Sequence, residues 1–177
     1  MRITPGFLLT MAVMFWLDEG VGLLGWGVLA CVVHELGHLL VGAALGGRPR
    51  WLSLSAVGLE LNMEYPAGLS YGRELAVALA GPAVNLVTGG ICAQFGNYLL
   101  AGVSFGLGLF NLIPIPPLDG SKVLFSLLPD RAYNTMLRYE RYGMLLLWAV
   151  VLLGVGDKWM SAAIQWTYEL FCRVVGF

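Results

Sequence analysis

Charge is scarce in this chain. Of its 177 residues only 12% are Asp, Glu, Lys or Arg, 58% are hydrophobic, and the mean hydropathy is +0.77. One soluble globule of this size cannot hide so much apolar surface, so the composition excludes a water-soluble domain and points to a polytopic membrane protein. The basic residues are few and dispersed and the net charge is -1, which excludes a nucleic-acid-binding surface. The three cysteines, Cys31, Cys92 and Cys172, lie in apolar segments without CxxC spacing, which excludes a disulfide framework or a cysteine-rich zinc module. Repeats, low-complexity tracts and polar linkers are lacking too, so no soluble accessory domain is expected. Histidine is scarce too: two occur, both in one pentapeptide, His34-Glu35-Leu36-Gly37-His38.

What is present is a series of apolar segments, at about 3–17, 21–46, 73–95, 98–113, 142–156 and 159–176. Each is compatible with a helix, the first and fifth being short for a bilayer. The first has the outline of a signal peptide, but it ends in Trp16-Leu17-Asp18-Glu19 instead of small residues suited to cleavage, so it reads as a retained span. The last carries Gln165, Glu169 and Arg173 as a polar stripe, and reads either as a sixth span or as a helix lying at the interface. Threading the chain from a cytoplasmic Met1 places Arg2, Arg48, Arg50, Arg73, Lys122, Arg131, Arg138, Arg141 and Arg173 on one side and only Lys158 on the other. That positive-inside bias puts both termini and the 47–72 and 118–141 connections in the cytoplasm.

The 47–72 connection has a pattern of its own. Leu52 and Leu54 alternate with Ser53 and Ser55, and then Leu59, Leu61, Met63 and Tyr65 alternate with Glu60, Asn62 and Glu64. The parity changes across Ala56-Val57-Gly58, which predicts two strands joined by a tight turn. Such a hairpin is either a plain surface element or one that dips into the bilayer edge and offers its free edge to an unwound substrate segment by strand addition. The expected fold class is an all-α polytopic membrane protein of about six transmembrane helices, with a small membrane-associated β-hairpin between helices 2 and 3.

The flanks of the histidine pentapeptide are apolar over enough residues to span a bilayer, and ionisable groups at that depth mark a functional site by default. On a helix, residues four apart share a face, so His34 and His38 can offer two imidazoles to one metal with Glu35 beside them as a potential base. A catalytic zinc needs a third protein ligand and no histidine is left to provide it. Asp119 is one candidate. It closes Asn111-Leu112-Ile113-Pro114-Ile115-Pro116-Pro117-Leu118-Asp119-Gly120, whose prolines cannot continue a regular helix, so the backbone there is irregular at or near membrane depth. The plain alternative is that Asp119 N-caps a helix from Ser121 to Leu128. Cys31, one turn before His34, competes as a ligand, although an apolar helix usually holds a lone cysteine for packing.

Together these residues resemble a known family. HELGH in a membrane helix, then Asn-x-x-Pro-x-x-Pro-Leu-Asp-Gly near the cytoplasmic end of a later one, is similar to the site-2 protease family of intramembrane zinc metalloproteases. Within that family the chain resembles the compact bacterial members, including the sporulation sigma-factor processing branch. Ala80-Gly81-Pro82-Ala83-Val84-Asn85 resembles the family's Gly-Pro-x-x-Asn element. The resemblance covers about 21–128 and implies a single membrane-embedded protease domain over 1–177, without PDZ or CBS modules. It further implies one zinc ion held by His34, His38 and Asp119, Glu35 as general base, and Asn111 as oxyanion donor. The implied substrate is a transmembrane protein or peptide, cut in a bacterial cytoplasmic membrane at a site reached from the cytoplasm. Asn85 reads as a polar residue satisfying a neighbouring helix, and Gly37, Gly42, Gly81, Gly102, Gly106 and Gly108 as close-packing positions. The competing reading is a non-proteolytic metal-binding or transport protein, against which stands the presence of a single cluster of intramembrane ionisable groups.

Overall fold

The computed structural model describes residues 2–3, 22–55, 58–66, 68–128 and 156–175, with scattered positions between 15 and 20 and between 142 and 154. Helix α1 (Leu23–Ala44) carries the pentapeptide. Its first N–H groups are capped by Asp18, whose Oδ1 accepts from the amides of Leu23 at 2.6 Å and Leu24 at 3.3 Å. It stops where Gly46 turns to φ 88°, a conformation suited to glycine. Helix α2 (Tyr71–Gln94) holds Pro82 in its interior. Helix α3 (Tyr98–Asn111) is capped by Asn97, whose Oδ1 accepts from Leu100 N at 3.2 Å. A short α4 (Asp119–Ser126) and the C-terminal α5 (Asp157–Val175) follow, with further helical positions described between 142 and 150.

The surfaces of these helices invert the soluble pattern. On α1 the exposed positions include Leu23, Val28, Leu29, Val32, Leu36 and Leu40, while the buried ones are Ala30, His34, Gly37 and Gly42. On α2, Leu79, Val87 and Ile91 face out and Ala78, Ala80, Gly81 and Asn85 face in. Large aliphatics outside and small or polar residues between helices is the arrangement expected when lipid, not water, surrounds the bundle. A Cβ on Gly37 would stand 2.8 Å from the Ala80 carbonyl oxygen, so α1 and α2 approach backbone to backbone there.

Among the described residues, α1 and α2 are long and apolar enough to cross a membrane. Helix α3 is apolar but has 14 residues, roughly 21 Å of rise against a hydrocarbon core of about 30 Å. It ends before the expected 113 because the residue preceding a proline resists helical geometry and Pro114, Pro116 and Pro117 follow. The segment expected at 3–17 falls largely outside the described residues, whereas the described positions of the segment expected at 142–156 are helical at 142–143, 145–147 and 149–150. Helix α5 carries Asp157, Lys158, Glu169 and Arg173 and lacks the apolarity of a span; it lies along α3, with Phe171 also filling the space over Gly90 of α2.

The hairpin is present as β2 (Arg48–Ser55) and β3 (Gly58–Glu64), antiparallel, with Leu54 opposite Leu59 and Leu52 opposite Leu61. The register shifts between Pro49 and Trp51, a bulge where proline is tolerated because it cannot donate to a ladder. The sheet departs from expectation in one respect. Arg2 and Ile3 form a two-residue β1 that pairs in parallel with Ser53 and Leu54, so Ile3 starts a strand, not the first helix, and the sheet has order β1-β2-β3. Both sides of β2 are thereby occupied, and β3 lies at the edge against α1.

Candidate active site

His34 and His38 project from one face of α1 with ring centroids 4.7 Å apart. Their Nε2 atoms are 3.1 Å from each other. Asp119 Oδ2 lies 2.9 Å from Nε2 of His34 and 3.1 Å from Nε2 of His38. Asp119 is the first residue of α4 and its side chain makes no capping bond, because Leu118 occupies the N-cap position. The capping alternative is therefore set aside, and the helix begins two residues earlier than Ser121. The approach depends on Gly120, where a Cβ would run into the carbonyls of Leu112 and Ile113 at the end of α3. The other carboxylate oxygen of Asp119 is 3.4 Å from Nζ of the half-exposed Lys122.

Glu35 stands beside this trio, its ligand atom within 4.8 Å of those of both histidines. Its Oε2 accepts a 3.0 Å hydrogen bond from the backbone N–H of Leu61 on β3. Leu61 faces Leu52 three pairs from the Ser55–Gly58 hairpin end. Its N–H points away from β2, since ladder bonds alternate along an antiparallel pair. The hairpin is thus tied to the α1 carboxylate as well as packed on the helix, where Met63 and Tyr65 fill the space over Gly42 and Gly47. Partial burial there pushes the Tyr65 hydroxyl pKa up, with the Lys122 charge pulling in the opposite direction.

Helix α2 supplies the far wall. The Val77 carbonyl is 2.8 Å from Nδ1 of His38, and the Asn85 amide is 3.2 Å from Nδ1 of His34. Gly81 sits midway, where a Cβ would collide with Nε2 of both rings. The sequence reading of Asn85 as a satisfier of a neighbouring helix holds in a specific form: the group it meets is a candidate ligand. Gly81, read as a packing glycine, turns out to leave room for the imidazoles themselves. The Gly-Pro-x-x-Asn signal was visible in the sequence; which face of α2 met the histidines was not.

Asn111 is the last residue of α3, and its Nδ2 donates to the Leu107 carbonyl at 3.0 Å, so the amide points back along its own helix. Cys31 is not among the side chains whose ligand atoms converge. Two imidazole nitrogens and a carboxylate oxygen at mutual separations of 2.9 to 3.1 Å form a small triangle. Ligands at about 2.0–2.2 Å from one tetrahedral ion stand roughly 3.3–3.6 Å apart, so the three atoms would part by a few tenths of an ångström around an ion, and the donor set is a borderline-soft one suited to zinc. The space kept by Gly81 opens on the same atoms.

The Peptidase family M50 model matches residues 93–154. A putative zinc metalloprotease of Synechocystis is 34% identical over 145 residues, covering 75% of this chain and 36% of that protein. A zinc metalloprotease of Methanocaldococcus jannaschii is 30% identical over 143 residues, 71% of this chain and 41% of its own length. Stage IV sporulation protein FB of Bacillus subtilis is 33% identical over 114 residues, 56% and 38% respectively. The chain thus spans 36% to 41% of the length of these relatives. Among solved structures, the site-2 protease from M. jannaschii superposes with a TM-score of 0.67 at 22% identity, covering 94% of this chain and 86% of that one. The chain belongs to the site-2 protease family, peptidase family M50.

Proposed function

We propose that this chain is an intramembrane zinc endopeptidase that hydrolyses a peptide bond within or near a transmembrane segment of a membrane-protein substrate. The observation that carries the proposal is the meeting of Asp119 with His34 and His38 beside Glu35, within helices that expose aliphatic side chains. His34, His38 and Asp119 hold one zinc ion. Bound zinc supplies Lewis acidity, polarising the scissile carbonyl and lowering the pKa of water toward neutrality. Glu35 takes the proton from the attacking water and returns it to the leaving amine. Asn111 turns its amide from the Leu107 carbonyl to the developing oxyanion, a contact worth roughly 3 kcal/mol in a dry site.

A transmembrane helix shields its own peptide bonds, so the substrate must unwind locally, and segments with helix-weakening residues near the cytoplasmic side are preferred. The edge of β3 receives the unwound stretch by strand addition. Pairing there takes over the Leu61 N–H and releases the Glu35 carboxylate for proton transfer. The catalytic core lies within about 21–128 of a single protease domain. The bundle crosses a bacterial cytoplasmic membrane, with the N-terminus and the approach to the site on the cytoplasmic side. A metal transporter is the weaker reading: the ionisable groups on α1 and α4 form one cluster instead of a series along a path. Co-expression with a tagged single-span substrate tests the proposal. Wild type should cut it and Glu35→Gln should not; equal cutting by both refutes protease chemistry at this site.

A further inference from the structure

The second ring nitrogen of each histidine meets α2. For His38 the chemistry is unambiguous, because the Val77 carbonyl can only accept: Nδ1 carries the hydrogen, and the Nε2 lone pair faces His34 and Asp119. For His34 the partner is an amide, which has a donor end and an acceptor end. Asn85 has no exposed surface, its Nδ2 lies 3.2 Å from Nδ1 of His34, and its Oδ1 meets no partner among the described residues. With Nδ2 donating, a neutral His34 ring would have to place its own hydrogen on Nε2, in the middle of the cluster, and could not ligate through that atom. Rotating the amide by half a turn exchanges its ends at no cost in shape. The oxygen then accepts from Nδ1–H and the Nε2 lone pair is freed.

We propose that Asn85 is a positioning residue for the metal site, its amide oxygen accepting from Nδ1–H of His34 and fixing that ring's tautomer and direction, as the Val77 carbonyl does for His38. The inference rests on the zinc-binding reading above. It gives α2 a repeating logic: Val77, Gly81 and Asn85 are spaced four apart on one face, against His34 and His38 spaced four apart on an antiparallel α1. The outer two hold the rings and the middle one makes room for them. Partners of this kind set both the orientation and the basicity of a ligating imidazole, and losing one typically weakens metal binding 10- to 100-fold.

The chain's two histidines make the test direct. Wild type labelled with 15N-histidine and loaded with zinc in liposomes should show hydrogen on Nδ1 of both rings and none on either Nε2. Zinc binding with an unprotonated Nδ1 on His34 overturns the role of Asn85 while leaving the metal site standing; failure of wild type to bind zinc overturns both. Chelator competition then separates donor from acceptor. Asn85→Ala should weaken zinc binding by about 10- to 100-fold, and Asn85→Asp, which keeps an acceptor and has no amide donor, should recover most of it. Wild-type affinity in Asn85→Ala, or an Asn85→Asp no better than Asn85→Ala, refutes the assignment.

Discussion

Replacing Gly81 with alanine adds one methyl group at the point where α2 faces the imidazoles. The new Cβ would stand 2.6 Å from Nε2 of His34, 2.8 Å from its Cε1, and closer still to Nε2 of His38. Non-bonded heavy atoms settle at about 3.5–4.0 Å, so the rings must retreat by about 1 Å or α2 must move bodily. The second route would part α1 from α2 where Gly37 lets them approach at Ala80, and so give up that packing. Helix propensity alone favours alanine over glycine by about 1 kcal/mol, so the metal-free helix has no intrinsic reason to unravel. The damage should therefore be local. Zinc per chain should fall by at least about tenfold, and turnover by on the order of 100-fold, the usual penalty for a 1 Å misplacement at a reacting centre. Metal analysis of the detergent-purified protein, with size-exclusion chromatography as a check on folding, reads the first quantity, and cleavage of a single-span substrate reads the second. A Gly81→Ala protein that keeps wild-type zinc and turnover would refute the placement of the cluster against α2.

Other perturbations should separate the roles around the site. Glu35→Gln should retain zinc and lose turnover by roughly 10²- to 10⁴-fold, the range for a general base; loss of metal instead would make Glu35 a ligand. Asp119→Ala should be purified without zinc, whereas Cys31→Ala should keep a full complement, and stoichiometric zinc in Asp119→Ala would remove the third ligand from the scheme. Asn111→Ala should lower kcat by roughly 10²- to 10³-fold with little change in KM, as loss of an oxyanion donor does; a change confined to KM would assign Asn111 to substrate binding. Leu61→Pro removes the N–H that bonds Glu35 without touching the pairing of β3 to β2. It should impair substrate binding more than zinc binding, and equal loss of both would make the hairpin a support for the metal site.

The part of this architecture that was legible in the sequence is the part written in local periodicity. The i, i+4 histidines sit on one helical face as their spacing requires, and the alternation through 52–65 with its change of parity matches the antiparallel β2–β3 pair. Asp119 could be named but not decided between cap and ligand by spacing alone. Long-range packing, in which Gly120 presses α4 against the end of α3, brings the Asp119 carboxylate to the two imidazoles. Gly81 and Asn85 were visible as a motif without a direction, since the face of α2 that meets α1 is set by helix packing and not by α2's own sequence. The two-residue β1 carries no periodic signal at all, so its pairing with Ser53 and Leu54 was beyond reach. Asn111 ends α3 with its amide bonded to its own helix.

Where a bond is cut, and what the cut depends on, distinguish intramembrane zinc proteolysis from every other role for this site. Purified chain reconstituted in liposomes with a single-span substrate, followed by mass spectrometry of the fragments with and without a zinc chelator, measures both at once. Cleavage should fall within or near the membrane-spanning segment, stop on chelation and return when zinc is restored. Cleavage confined to residues far outside the membrane, or cleavage that persists without metal, would contradict intramembrane zinc proteolysis.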